Sequence, residues 1–315
     1  MMKMHVLLPL IATAMACTAM PAEAQEKVKF AYIKTVSMLP FFYAEQKGYF
    51  KGEGVAMEMI PVQSGSAVGS AVASGAAHIG YTSTTVLINA RNQDQPFRFV
   101  FGLEWEQTPT QLWGPLVASE RSGIKSFKDV TGKTIITGSP GGLCELAWRD
   151  WLSRNGVAWN SVKTLTTPFP QHQAALELGN ADASCTPEPF YSGMRTSKLN
   201  PLTLGRGYLA EERRRYIIDG IFANETWIAA NKKTISAIER AAARASRELA
   251  ADKAMVRKLL VEEFRLPPAV VDALPVNLDA DFSAPAAQFE PVLEAMRRHG
   301  MVKPTLRAAD LTANN

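Results

Sequence analysis

The sequence predicts a two-lobed α/β protein, and three observations predict it. From Val28 onward, short apolar runs alternate with amphipathic helical stretches, the pattern of βα units around a mostly parallel sheet. That grammar stops and then restarts near the middle of the chain. Two extended runs, "LWGPLVASE" and "GIFANETWIAAN", bracket the restarted part and read as paired crossings between lobes, which makes them a hinge.

Each element follows from its residues. "VKFAYI" is a first strand, and "LPFFYAEQKGYF" a helix with Pro40 near its start and Gly48 at its end. "VAMEMIPV", "HIGYT" and "FRFVFGLEW" are further strands, with helices at "SAVGSAVASG" and "STTVLINARNQ" between them. The second series has a strand before "TGSPGG", the helix "LCELAWRDWLSRNG", the strand "VKTLTT", the helix "PQHQAALELGN" and the strand "ADASC". From Lys232 the sequence reads as continuously helical through "TISAIERAAARASRELAADKAMVRKLLVEEF". Residues 25–114 and 218–315 are thus expected to form lobe 1, and residues 115–217 lobe 2.

Composition narrows the function. The 315 residues are 47% hydrophobic and 20% charged, which is ordinary for a globular protein. The formal charge of +4 comes from 34 basic and 30 acidic side chains spread along the chain, without the basic stripe that nucleic acid requires. The run Arg213–Arg215 reads as a solvated helix face.

The first residues, "MMKMHVLLPLIATAMACTAMPAEAQEK", place Lys3 and His5 before an apolar run and Ala22-Glu23-Ala24 after it. This is the grammar of a secretory signal over residues 1–24, cut after Ala24, and it predicts a periplasmic protein. "AMAC", ending at Cys17, is the weaker option of a lipid anchor. Removing the signal leaves Cys144 and Cys185, which in an oxidising compartment are either a disulfide or two buried thiols.

In an open parallel sheet the strands' carboxyl ends deliver the chain to helix N-termini along one edge. Here those termini carry small polar residues: "KTVSM", "QSGSA", "YTSTT" and "TGSPGG". In the last, Ser139 is expected to cap the helix and Pro140 to sit in its first turn, with Gly141 and Gly142 leaving amides uncovered. Ser66, Ser83 and Thr84 add hydroxyls. Two such edges facing across a hinge make a closable site for a small anionic or polar molecule.

"PFFYAEQKGYFKGEGVAMEM", "GSAVGSAVASGAAHIG", "GIKSFKDVTGKTIITGSPGG" and "LGNADASCTPEP", in that order, resemble the successive signatures of periplasmic substrate-binding proteins of the nitrate, sulfonate and taurine transporter type. The resemblance implies a two-lobed periplasmic-binding fold of the second type and delivery of ligand to an inner-membrane ABC permease with its ATPase. It also implies ligand contacts from Thr35, Ser37, Met38, Gly65, Ser66, Ser83, Thr84, Gly141 and Gly142. Two positions depart from the pattern. Pro187 precedes Glu188 and Pro189 where an aromatic is common, and His78 replaces the usual acidic residue before Ile-Gly.

Charged and aromatic residues near the inferred cleft qualify the ligand. Lys34 would attract a carboxylate or sulfonate, whereas Glu104, Glu106 and Glu188 would accept hydrogen bonds from an amine or hydroxyl. Trp105 would offer a flat wall, with Phe190 or Tyr191 also placed to stack. The expected ligand is a small organic anion or zwitterion of the sulfonate, carboxylate or heterocycle class. Because "ADASC" and the helix opened by "SPGGLCE" are neighbours in lobe 2, Cys144 and Cys185 approach near the cleft, which favours the bridge.

Catalysis is not expected. His78, His172 and His299 lack metal spacing, no Ser sits in a Gly-x-Ser-x-Gly elbow, and neither metal nor cofactor is predicted. The rival reading is an enzyme on the same scaffold, similar to thiamine-pyrimidine synthase. It would need a cofactor-bearing Lys with a reactive Cys and His in the cleft. A monomeric binding protein is the expectation.

Overall fold

The computed structural model describes residues 26–272 and 274–313. The expected export signal, its cut after Ala24 and the lipid-anchor option at Cys17 lie outside these residues. Among the described residues no helix is long and apolar enough to cross a membrane.

The first sheet has the order β2-β1-β3-β10-β4 and the second β7-β6-β8-β5-β9, so the chain builds two α/β lobes. In chain order the first lobe opens with β1 (Glu26–Tyr32), α1 (Leu39–Gln46), α2 (Tyr49–Gly52), β2 (Val55–Pro61), α3 (Gly65–Ala73), β3 (Ile79–Ser83), α4 (Thr84–Asn92) and β4 (Phe97–Glu106). The second contains β5 (Pro115–Ala118), β6 (Thr134–Ile136), α5 (Leu143–Arg154), β7 (Lys163–Leu165), α6 (His172–Leu178), β8 (Ala183–Cys185), α7 (Phe190–Thr196) and β9 (Leu202–Arg206). The chain then returns through β10 (Tyr216–Asn224), α8 (Glu225–Ala230), α9 (Lys232–Ala251), α10 (Lys253–Phe264), α11 (Pro268–Val271) and α12 (Glu290–Arg298).

Strand alternation sets the layers. Val28, Phe30 and Tyr32 point to the face covered by α1 and α9, while Ala31 belongs to the cluster on the opposite face. On α9, Ala237, Ile238, Ala241, Ala242, Ala245 and Leu249 recur at helical spacing and are buried there. Each large apolar side chain so buried contributes roughly 1.5–3 kcal/mol, and Phe30, Phe41 and Phe50 are fully covered.

Three sequence expectations are corrected. The helix from Lys232 breaks at Asp252, whose carboxylate caps α10 by accepting from the Met255 amide at 2.9 Å. "GIFANETWIAAN" is not a crossing: it is extended only to Asn224 as part of β10 inside the first sheet, and Asn224 caps α8 through the Thr226 amide at 2.9 Å. Arg213–Arg215 lie in a turn, not on a helix: Arg214 pairs with Glu212 at 3.0 Å and Glu294 at 2.6 Å, and Arg215 with Asp279 at 3.2 Å.

The two crossings, between β4 and β5 and between β9 and β10, run side by side. The Thr108 amide donates to the Glu212 carbonyl at 3.0 Å, and the Gly207 amide to the Gly114 carbonyl at 3.1 Å. Glu106, fully buried, ties them together. One of its oxygens accepts from the amides of Trp113 at 2.7 Å and Gly114 at 3.1 Å. The other accepts from the Tyr208 amide at 2.7 Å and from the Tyr216 hydroxyl.

Candidate functional site

A cavity open to solvent at its mouth lies where the two lobes face each other. From the first lobe it receives the loop after β1, the start of α3 and the end of β3, through Thr35, Gly65 and Ser83. From the second it receives Thr137, Ser139 and Leu143 around the start of α5, and Pro187 and Glu188 after β8. Trp113 and Tyr208 close it from the crossings.

The floor is acidic. Asp219 on β10 is the direct cross-strand partner of Glu104 on β4, and a register shift on either side of Asp219 breaks the alternation of β10. The bulge explains why the consecutive residues Ile218 and Asp219 both line the cavity. Ser37 donates to Glu104 at 2.9 Å, Tyr81 donates to Asp219 at 2.7 Å, and the Thr35 hydroxyl meets that of Tyr81 at 2.9 Å. The second Asp219 oxygen is buried without a partner, as is the hydroxyl of Thr82. Burial pushes the Asp219 carboxyl up to about 7 against the hydrogen bonds it accepts. Burial and the charge of Asp219 together push Glu104 well above the usual carboxylate range. Both shifts favour the protonated form of the pair over two bare carboxylates.

The structure sorts the sequence candidates. Thr35, Ser37, Gly65, Ser83 and Glu188 line this one cavity. At Gly65 an added Cβ would lie 2.8 Å from the Thr82 hydroxyl, so the backbone approach there requires glycine. Glu188 accepts from the amide and hydroxyl of Ser192, both at 3.0 Å, and burial raises its carboxyl.

The others stand elsewhere. Met38 is fully buried in the core, and Ser66 is exposed, hydrogen-bonded to Ser64. Thr84 is buried, its hydroxyl donating to the Ile217 carbonyl at 2.7 Å to pin α4 on β10. Trp105 packs in the core beneath the Arg215 guanidinium, 4.5 Å from its ring, and Trp113 takes the wall position instead. Lys34 pairs with Glu263 at 2.9 Å at the mouth of the cleft, beside Phe264 and Phe190. Tyr191 is buried and bonds to Thr203 at 2.9 Å.

The "SPGG" amides are also not uncovered. Gly142, not Ser139, is the N-cap of α5, and its amide donates to the Ser139 carbonyl at 3.1 Å. The Gly141 amide donates to the Glu145 carboxylate at 2.8 Å. The acidic residue one turn into the helix has taken the anion's place at this N-terminus. The Gly141 carbonyl instead receives Asn89 of α4 at 2.8 Å, a direct bond between lobes.

Cys144 and Cys185 are disulfide-bonded, and Cys144 lines the cavity. His172 is a satisfied interior residue, with Ser184 at 2.8 Å and the Thr167 carbonyl at 3.0 Å, and burial lowers it to about 4. Residues that sequence reasoning passed over include Asp219, Thr82, Tyr208 and Phe169. The one signal for Asp219 was an acid within the apolar strand "YIIDGIF".

A sequence model described as NMT1/THI5 like matches residues 35–254, more than half of the chain. The chain belongs to the NMT1/THI5-like family. No curated protein sequence matches it. Among solved structures, a protein of Bordetella bronchiseptica RB50 is similar with a TM-score of 0.75 at 22% identity, over 93% of this chain and 95% of that one. The alkanesulfonate-binding protein SsuA from Xanthomonas axonopodis pv. citri, bound to MOPS, is similar with a TM-score of 0.73 at 17% identity, over 91% and 98%. The periplasmic nitrate-binding protein NrtA from Synechocystis PCC 6803 gives 0.74 at 16% identity, over 91% and 86%. At these identities the likeness is one of fold, and this family member shares the two-lobed periplasmic-binding architecture.

Proposed function

We propose that this NMT1/THI5-like protein is the periplasmic receptor of an ABC importer. It closes two lobes on a small organic solute and presents it to a membrane permease with its ATPase. The observation that carries this reading is a cavity built from both lobes, which the Asn89–Gly141 bond links, and floored by partly unsatisfied polar groups. Ligand contacts from both sides favour the closed population, and the paired crossings supply the hinge.

Within the expected anion-or-zwitterion range, the lining supports a solute with hydrogen-bond donors over a bare sulfonate or carboxylate. Three carboxylates line the cavity, Glu104, Asp219 and Glu188, and among the described lining residues there is no Lys, Arg or His. The enzyme rival needs a free Cys and a cofactor-bearing Lys in the cleft. Cys144 is bridged, and Lys34 is ion-paired at the mouth.

The test is to incubate the purified mature protein with a total metabolite extract, wash, heat-denature and identify the released small molecules by mass spectrometry. Small-angle scattering with and without extract follows the lobes. A retained solute with a smaller radius of gyration is expected; no retained solute and no compaction would reject the receptor.

A further inference from the structure

The geometry points to a specific chemical class: the Glu104–Asp219 pair receives an organic cation, a protonated amine or amidinium whose N–H bonds run to the two carboxylates. The inference rests on the receptor reading and deepens it.

Two carboxyl groups placed directly opposite across an antiparallel pair cannot both ionise without repulsion, and burial raises that cost unless a partner compensates it. Here the pair is held at a β-bulge on the cavity floor, and its direct donors within the protein are neutral hydroxyls, Ser37 and Tyr81. A buried Asp219 oxygen and the buried Thr82 hydroxyl, both in residues that line the cavity, have no protein partner. An incoming N–H donor set with one positive charge satisfies the oxygen and offsets the repulsion together.

An anion fits none of this, because no cationic side chain among the described residues lines the cavity to receive it. A divalent metal ion fits poorly as well. Calcium takes six to eight oxygen ligands, and among the described residues no group of three or more His, Cys, Asp or Glu is placed to hold a metal. The other walls carry Trp113, Tyr208, Phe169 and Ile218 beside the polar side chains of Ser83, Thr137, Ser139 and Glu188. They suit a compact organic body, and ring faces add attraction for a desolvated cation.

The experiment uses the mature protein and matched probes of one shape and different head charge: benzylamine and benzamidine, benzoate and benzenesulfonate, benzyl alcohol, and calcium chloride alone. Binding is read by thermal shift and calorimetry on wild type, Glu104→Gln and Asp219→Asn, whose folding is checked by circular dichroism. Stabilisation by a cationic probe, weakened about tenfold or more by either isosteric substitution, is expected. Stabilisation by the anions or calcium only, an unchanged response in both variants, or no response to either cation would overturn the inference. The metabolite-extract experiment separates the two failures. A retained solute without a cationic nitrogen sinks the cation assignment and leaves the receptor standing, whereas no retained solute sinks the receptor.

Discussion

Asp219 faces Glu104 as its cross-strand partner, so β10 and the edge strand β4 of the first sheet place two carboxyl groups side by side at the floor of the interlobe cavity. An isolated fold would gain by replacing one of them. Their position at a bulge next to Tyr81, Thr35 and Ser37 is accounted for when the pair is part of the binding surface.

The Asp219–Glu104 pair is expected to contribute less stability to the empty protein as pH rises. Asp219 has an ordinary value of 3.8 and is pushed up to about 7 on folding, so the folded state holds its proton more tightly. Its stabilising contribution is full below about 4 and is lost as pH rises through about 7, and Glu104, raised well above its ordinary value, acts in the same direction. His172, lowered to about 4, acts the other way over part of this range, so the readout is the difference: urea midpoints should fall more, or rise less, with pH in wild type than in Asp219→Asn. An identical slope in the variant refutes the assignment.

Glu106 is the clasp of the hinge, and removing it should hurt more than an average core substitution. Glu106→Ala leaves the amides of Trp113, Gly114 and Tyr208 and the Tyr216 hydroxyl buried without their acceptor. The expected cost is on the order of 3 kcal/mol or more. Denaturation curves give the cost, and scattering should show a broader spread of lobe separations.

The bridge between Cys144 and Cys185 joins the first turn of α5 to the end of β8, over a sequence separation of 41. Cys185→Ser is expected to lower stability by about 2–4 kcal/mol. Intact mass of the mature protein should rise by two hydrogens on reduction, and two free thiols before reduction would contradict the bond.

Closure should be tunable from outside the cavity. Asn89 on α4 donates to the Gly141 carbonyl across the lobes. Asp150 on α5 accepts from Arg298 of α12 at 3.0 Å and from the Ala210 amide in the second crossing at 2.9 Å. Asn89→Ala removes one interlobe bond worth about 1 kcal/mol, so ligand affinity should drop roughly fivefold, mostly through faster release. Stopped-flow dissociation measures it, and an unchanged release rate counts against this bond as a closing contact.

The sequence by itself determined the two βα series and which strand ends meet: Thr35, Ser37, Gly65, Ser83 and Glu188 come to one cavity because strand-to-helix junctions gather on one sheet edge. Local pattern also brought Cys144 and Cys185 into neighbouring elements. It could not tell a helix N-terminus open to ligand from one already occupied. Glu145 fills the Gly141 amide through side-chain reach, and no spacing rule says whether a carboxylate one turn away turns inward or out. Nor could it place Asp219, since strand alternation assigns Ile218 and Asp219 to opposite faces, and a single-residue bulge against β4 turns both to the cavity. Only the tertiary structure decided that the floor is acidic, because burial, register and the distance between two strands far apart in sequence set the charge of the site.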